Sequence, residues 1–158
     1  MRGKCVLAFA ASLALASAGL AQTSGGTKAG RPIPIPSADL KWSDLDPKGA
    51  PGVQVADLWG DHTKGAFGAF FKLPAGFAVP LHRHTHDMKL VTVSGTYVQG
   101  PEGKPEFRLG PGSYLMQPGG HYWHTTSCDK ASECLFFVES KGKFDLMVKD
   151  AGKAAAKK

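Results

Sequence analysis

The chain has 158 residues, of which 42% are hydrophobic and 20% charged, and it carries a formal net charge of +6. This length and apolar content suffice for one domain with an ordinary core, and they exclude wholesale disorder. The 20 glycines and 11 prolines favour turns, without the three-residue glycine period of collagen. The sequence lacks repeated apolar runs long enough to span a bilayer, which excludes a polytopic membrane protein.

The N-terminus has the layout of a secretory signal peptide. Arg2 and Lys4 precede an uncharged stretch rich in Ala and Leu, residues 5–20, and the small residue Ala21 precedes the predicted cut. The sequence therefore predicts a signal peptide over residues 1–21 and a periplasmic or secreted protein without a membrane segment after cleavage. An uncleaved membrane anchor is the alternative. Loss of the two cations lowers the net charge from +6 to +4.

The remaining chain divides into an arm, a β-domain and a tail. Residues 22–41 are predicted to be a linker, because the prolines within 31–36 hold the backbone extended. Residues 42–148 contain short apolar runs broken by Gly, Pro or Asp, which is typical of an antiparallel all-β sandwich or barrel. Strands are predicted at 53–59, 66–73, 90–98, 107–109, 114–117 and 135–138. Residues 149–158 form a basic tail, and no basic stripe with interleaved aromatic residues supports nucleic-acid binding.

Two cysteines remain after removal of the signal peptide. Cys128 and Cys134 are separated by five residues whose composition is typical of a loop. An oxidising compartment favours a disulfide across this loop, and two free thiols are the alternative. The spacing differs from the CxxC pairs of zinc ribbons and thioredoxins.

Five of the six histidines lie in two clusters. In the first, His82, His84 and His86 share one face of an extended chain, because side chains alternate between the two faces. Successive residues on that face lie about 6.5–7 Å apart, within reach of one metal ion, whereas the outer pair is twice as far apart. The pattern therefore predicts that two of the three histidines bind a metal. Three histidines in a surface loop are the alternative.

The second cluster, residues 118–124, follows a tight turn and contains His121 and His124. One of them would complete a three-histidine site from a neighbouring strand. Neutral imidazole suits Zn, Cu, Fe and Ni better than Ca or Mg.

The first cluster resembles the first sequence motif of the cupin superfamily. That motif is Gly, five residues, His, one residue, His, three or four residues, Glu, six residues, Gly. Gly76, His82, His84 and Gly95 match it, and Met88 stands at the Glu position. This register implies that His82 and His84 bind the metal, and it leaves His86 as a proton carrier or a third ligand.

The second cluster resembles the second cupin motif, which is Gly, five residues, Pro, one residue, Gly, two residues, His. Gly112, Pro118 and Gly120 match this motif. Trp123 stands at the His position, between His121 and His124. We favour His124 as the metal ligand over His121, because a one-residue shift in a turn is easily absorbed.

The resemblance implies the cupin fold, a small antiparallel double-stranded β-helix or jelly-roll barrel, with one divalent metal ion (Zn, Fe, Mn or Ni). Residues 58–61, 73–77 and 142–145 are similar to a subgroup of cupins that resembles the cupin half of zinc-dependent anti-sigma factors. Met88 removes the usual carboxylate ligand, and a thioether binds such metals poorly. A three-histidine site with water positions and a barrel without metal are the two readings that follow.

Two functions are consistent with these features. The first is a metalloenzyme of oxygenase or isomerase type that acts on a small carbonyl or acid substrate, with His86 as a catalytic proton carrier, because histidine titrates near neutral pH. The alternative is a non-enzymatic cupin module that binds or senses a small molecule or a metal. Cupins commonly form homodimers through an outer sheet, and the apolar strand at 67–73 is compatible with such an interface.

Overall fold

A computed structural model describes residues 30–149, and the compact unit that contains the fold begins at Pro34. Within the described part, the chain forms eleven strands and one 3₁₀ turn, Ser37–Asp39. The strands are β1 (Ser43–Asp46), β2 (Ala50–Gly60), β3 (Phe67–Leu73), β4 (Ala78–Arg83), β5 (Met88–Ser94), β6 (Tyr97–Pro101), β7 (Phe107–Leu109), β8 (Tyr114–Gln117), β9 (His124–Cys128), β10 (Cys134–Ser140) and β11 (Met147–Val148). The predicted signal peptide, residues 22–29 of the predicted linker and residues 150–158 of the predicted tail lie outside the described residues. Among the described residues, no helix is long and apolar enough to cross a membrane.

Two antiparallel sheets form the domain. One has six strands in the order β1-β2-β3-β10-β5-β8, and the other has five in the order β11-β4-β9-β6-β7. Strands far apart in the sequence are neighbours in both sheets, as in the pairing of β3 with β10 and of β4 with β9. This arrangement confirms the predicted all-β jelly roll.

The two sheets give the interior two different walls. The buried side chains of the six-stranded sheet are mainly apolar and include Val55, Phe67, Phe71, Phe136 and Val138. The buried side chains of the five-stranded sheet include the polar residues His82, Gln99, His124 and Thr126. Buried polar groups are unfavourable unless they are paired or bind something. The polar wall is therefore where a functional site is expected.

The predicted strand at residues 90–98 is two strands, because the chain turns at Gly95. Gly95 has a φ of +74°, a left-handed conformation that other residues rarely adopt. A Cβ at this position would lie 2.3 Å from the carbonyl oxygen of Glu133. β5 therefore ends at Ser94, and β6 begins at Tyr97 in the opposite sheet.

A disulfide joins the end of β9 to the start of β10. Cys128 and Cys134 are bonded, with their Cα atoms 5.7 Å apart, and both are buried. The bond closes the loop of residues 129–133, so the structure agrees with the predicted disulfide rather than with two free thiols.

Replacement of both cysteines by alanine (Cys128→Ala/Cys134→Ala) is expected to lower the free energy of unfolding by about 2 kcal/mol, because opening a loop this short returns a small amount of conformational entropy to the unfolded chain. Urea unfolding of the oxidised protein and the variant measures the difference. Under reducing conditions the two proteins should converge to within the smaller effect of the substitutions themselves. Equal urea midpoints in the oxidised state would contradict the expectation.

Candidate metal centre

Three histidines from two neighbouring strands meet on the polar wall. His82 lies on β4 and His84 directly follows it, and both are buried because residues two apart share a face of the strand. The antiparallel register of β4 and β9 places His124 opposite His82. The centroid of the His82 ring lies 4.3 Å from that of the His124 ring and 5.0 Å from that of the His84 ring. One ring nitrogen from each residue lies within 4.8 Å of the others, so the group could hold a metal ion.

A backbone carbonyl orients each of the three rings. Because a carbonyl only accepts hydrogen bonds, each neutral ring carries its proton on Nδ1 and its lone pair on Nε2. Metal-binding histidines are commonly fixed in this way, by a partner that sets both the tautomer and the ring orientation. Each Nδ1 donates to one carbonyl oxygen: that of His82 to Pro80 O at 2.7 Å, that of His84 to Asp145 O at 2.5 Å and that of His124 to Tyr122 O at 3.3 Å.

Burial keeps the three rings neutral, which is the state that binds metals. It lowers the pKa of His82, and it lowers the pKa of His84 to about 4. Burial, with repulsion from the other two rings, lowers the pKa of His124 to about 3. The Nε2 atom of His124 is buried and has no hydrogen-bond partner among residues 30–149. A cation would supply that lone pair with a partner, so the donor set fits a metal ion such as Zn or Fe.

For the metal-free protein, these lowered pKa values predict a loss of stability in mild acid. The unfolded chain takes up protons near the ordinary histidine pKa of 6.5, whereas folded His84 and His124 resist protonation down to pH values of about 4 and about 3. The neutral His84 and His124 rings therefore contribute their full share of folding stability above pH 6.5. This contribution is lost as the pH falls towards 4, and the free energy of unfolding drops by up to about 1.4 kcal/mol per pH unit for each of the two histidines. Urea unfolding in EDTA at several pH values in this range measures the slope.

The double variant His82→Ala/His84→Ala provides the comparison, because it keeps only one of the three buried rings. Its stability should fall less steeply with decreasing pH than that of the parent. Equal slopes for the two proteins would contradict the assignment of the acid sensitivity to this group.

The structure corrects the expectation that His86 faces the same way as the other two histidines of its cluster. β4 ends at Arg83 and the chain bends at Thr85, so the extended face stops at His84. The His86 ring is exposed and packs against Gly142, where a Cβ would lie 2.3 Å from its Cδ2 atom. His86 does not line the cavity that His84 faces. We therefore assign it no part in proton transfer at this site.

His121 also lies outside the group. It is exposed in the turn that precedes β9, whereas His124 is the first residue of that strand and fully buried. Of the two candidates for a third ligand, the fold places only His124 beside His82 and His84.

The C-terminal segment 141–149, which we call the strap, holds one of the histidines in place. The Phe144 ring lies against His84 with a centroid distance of 5.4 Å. The backbone carbonyl oxygen of Asp145 accepts the hydrogen bond from His84. The Asp145 carboxylate accepts two more hydrogen bonds, both from Thr85: one from the backbone N–H at 2.8 Å and one from the side-chain hydroxyl at 2.5 Å. Asp145 therefore fixes both the His84 ring and the bend that follows it.

His82 and His84 face a cavity of about 640 Å³ between the two sheets. Met88, at the position where the cupin motif has its carboxylate, also lines the cavity and is 8% exposed. The charged residues that line it are Asp46 and Lys143, both exposed. Its apolar lining includes Val53, Phe71, Leu90, Phe136 and Phe144. A polar site at one side of a largely apolar cavity is the usual construction of a small-molecule site.

Comparison with known proteins assigns the chain to a family. A family model described as a domain of unknown function, DUF4437, matches residues 33–150, about three quarters of the chain. The chain belongs to the DUF4437 family. Among curated proteins, the dimethylsulfoniopropionate lyase DddQ of Ruegeria pomeroyi is 34% identical over 58 residues, which are 37% of this chain and 29% of that protein. The DUF4437 chain thus matches less than a third of this relative's length.

Solved structures confirm that the DUF4437 protein has the cupin fold. The crystal structure of DddQ from Ruegeria pomeroyi superimposes with a TM-score of 0.57 at 22% identity, over 71% of this chain and 62% of that one. KdgF from Halomonas sp. gives a TM-score of 0.54 at 22% identity, over 70% and 94%. A cupin-2 domain protein from Rhodospirillum rubrum gives 0.58 at 16% identity, over 73% and 79%. At these identities the likeness shows the fold alone.

Two further residues of this site in the DUF4437 protein were not expected from the sequence: Gln117, which lines the cavity, and Asp145, which holds His84. Gln117 could have been found, because the alternation along β8 buries it beside the turn of the second motif. Asp145 left no such signal, since it holds His84 through a backbone carbonyl that any residue possesses.

A second group of potential metal ligands in the DUF4437 protein, Asp57, Asp61 and His62, lies nearer the surface. Its members already pair with one another and with neighbours: His62 Nδ1 lies 2.9 Å from an Asp57 carboxylate oxygen, and Asp61 pairs with Lys64 at 2.5 Å. Exposed groups satisfied in this way give no reason to assign a metal there.

Proposed function

We propose that this DUF4437 protein is a metal-dependent enzyme that acts on a small carbonyl or carboxylic-acid substrate inside the barrel. The observation that carries the proposal is the convergence of three neutral histidines, His82, His84 and His124, two of which (His82 and His84) line a cavity of about 640 Å³. Three-histidine sites that leave further positions open are typical of catalytic rather than structural metals. The curated relative DddQ is named as a lyase of dimethylsulfoniopropionate, a molecule with one carboxylate.

The roles of the protein groups follow from their surroundings. A divalent metal, when bound, supplies a Lewis acid that polarises a carbonyl or carboxylate oxygen. Burial raises the pKa of Tyr97 to about 12, and its hydroxyl lies 3.1 Å from the Thr126 hydroxyl. Tyr97 therefore stays protonated at neutral pH and acts as a hydrogen-bonding group, not as a base. The apolar wall opposite excludes water and receives the apolar part of a substrate.

Elemental analysis of the mature protein, purified without a His tag, tests the proposal. About one ion of Zn, Fe, Mn or Ni per chain is expected. No bound metal, even after reconstitution with each of these four, would overturn the metalloenzyme proposal. Dimethylsulfoniopropionate is the first substrate to assay. Turnover that EDTA abolishes and added metal restores would establish an enzyme.

A binding module similar to the cupin half of zinc-dependent anti-sigma factors is the second candidate. Met88 favours it, because this buried thioether stands where cupin sites have a carboxylate and provides neither a metal ligand of that kind nor an acid–base group. A protein that holds metal and small carboxylates, but turns none of them over, would select this function.

We also propose that the protein is exported, with residues 1–21 as a cleaved signal peptide. The disulfide between Cys128 and Cys134 supports this proposal, because such bonds persist in oxidising compartments. The mass of the exported protein should correspond to a chain that begins at Gln22. A mass that includes the first 21 residues would contradict cleavage.

A homodimer formed through the outer face of the six-stranded sheet is a further part of the proposal. Val91, Val93, Tyr114 and Met116 lie exposed on that face, on the adjacent strands β5 and β8. An apolar patch on a sheet next to an edge strand favours association with a second copy. Light scattering should give twice the chain mass for the parent and for Thr125→Asp on the other sheet, and the monomer mass for Val93→Asp. A monomeric parent would contradict the dimer.

A further inference from the structure

Two glutamine side chains form a buried pair in the barrel. Gln99 on β6 is 0% exposed and Gln117 on β8 is 2% exposed. Gln99 Nε2 donates to Gln117 Oε1 at 2.9 Å, although the two strands belong to different sheets. Within the described chain, the other two amide atoms, Gln99 Oε1 and Gln117 Nε2, have no hydrogen-bond partner. A buried amide donor without a partner lowers stability, which suggests that Gln117 Nε2 has a partner that binds from outside the chain.

Gln117 lines the same cavity as His82 and His84, whereas Gln99 does not. Gln117 is the residue paired with Met88 in the ladder between β5 and β8, so its amide stands beside the position where the cupin motif places a carboxylate. Gln99 holds the oxygen of this amide, which leaves its Nε2 donor without a partner in a side chain that lines the cavity.

The other polar groups of the cavity are already engaged or lie at its rim. The hydroxyls of Tyr97 and Thr126 pair with each other at 3.1 Å. The lining cation and anion, Lys143 and Asp46, are exposed. A molecule with one oxygen-bearing end could place that end between the histidines and Gln117 and its apolar body against apolar lining residues such as Phe71, Leu90 and Phe136. A second carboxylate on that body would meet apolar side chains, with no buried cation among the lining residues to pair with it.

We propose that Gln117 determines substrate specificity, donating from Nε2 to an oxygen of a small monocarboxylate with an apolar body, and that Gln99 positions it. The proposal rests on the proposed function, because the carboxylate end would also face the metal site. It assigns the substrate class through one amide donor and the charge distribution of the cavity, both of which can be changed by substitution.

Calorimetric titration of the zinc-loaded, full-length mature protein with hexanoate tests this assignment, with adipate as the dicarboxylate of the same length. Gln117→Leu should weaken hexanoate binding by about tenfold or more and leave the zinc content unchanged. Gln54→Leu, a change outside the cavity, should leave both unchanged. Adipate should bind the parent about tenfold more weakly than hexanoate, or worse.

Equal hexanoate affinity in the parent and in a zinc-loaded Gln117→Leu protein would overturn the proposal, since the amide pair would then serve only to join the two sheets. Failure of the parent to bind hexanoate, or adipate binding as tightly, would overturn the substrate class. If Gln117→Leu does not fold, the side-chain NH₂ resonances of Gln117 in the parent decide: a shift on addition of hexanoate supports the contact, and no shift overturns it. If the parent holds no metal, the proposed enzyme fails, and the same NMR titration of the metal-free protein decides whether the Gln117 contact stands.

Discussion

The double variant His82→Ala/His84→Ala is expected to lose its bound metal completely, whereas the parent retains about one ion per chain. Two of the three ring nitrogens that lie within 4.8 Å of one another disappear, and a single histidine does not hold a divalent ion against a chelator. Metal content after dialysis, measured beside the parent under identical conditions, gives the result. Circular dichroism and a thermal melt establish that the variant is folded, because the substitutions also leave the carbonyls of Pro80 and Asp145 without their hydrogen-bond donors.

Two single variants make this test specific to the site geometry. His124→Ala removes the ligand that the register of β4 and β9 places opposite His82, and it should lose the metal as well. His121→Ala changes an exposed residue three positions earlier and should keep the ion. Loss of metal from His121→Ala, with retention in His124→Ala, would contradict the centre described above.

The three-histidine group was largely predictable because its information is local. The period of two in β4 points His82 and His84 inward, and the tight turn before β9 delivers a histidine from the neighbouring strand. The choice between His121 and His124 depends on where β9 begins. That position is set by pairing with β4 and β6, which lie far away in the sequence.

His86 shows where local periodicity fails. An extended chain would place it beside His84, but the chain bends at Thr85 instead. The bend is held by the carboxylate of Asp145, 60 residues away, and by the Asp87 carboxylate, which accepts from the N–H of Gly119 at 2.7 Å. Neither contact can be read from the residues near position 86. The turn at Gly95 that divides β5 from β6, in contrast, is marked by the glycine itself.

The strap is the part of the site that could not be predicted from the sequence, and Asp145→Ala is expected to show how much metal binding depends on it. The variant removes the carboxylate that accepts two hydrogen bonds from Thr85, and with it the restraint on the carbonyl that orients His84. Loss of a partner that orients a metal ligand typically weakens metal affinity about 10- to 100-fold. Competition for zinc with a chromophoric chelator at fixed pH measures this change.

Asp145→Asn is the matched variant, because the amide keeps the oxygen that accepts from the Thr85 N–H and has nearly the same shape. It should weaken zinc binding less than Asp145→Ala does. Asp129→Ala removes a half-buried carboxylate that pairs with Arg108 and does not contact the histidines, and it should leave zinc affinity unchanged. If Asp145→Ala binds zinc as tightly as the parent, the His84 ring does not need the strap. Its orientation must then come from packing against Phe144 and from β4 alone.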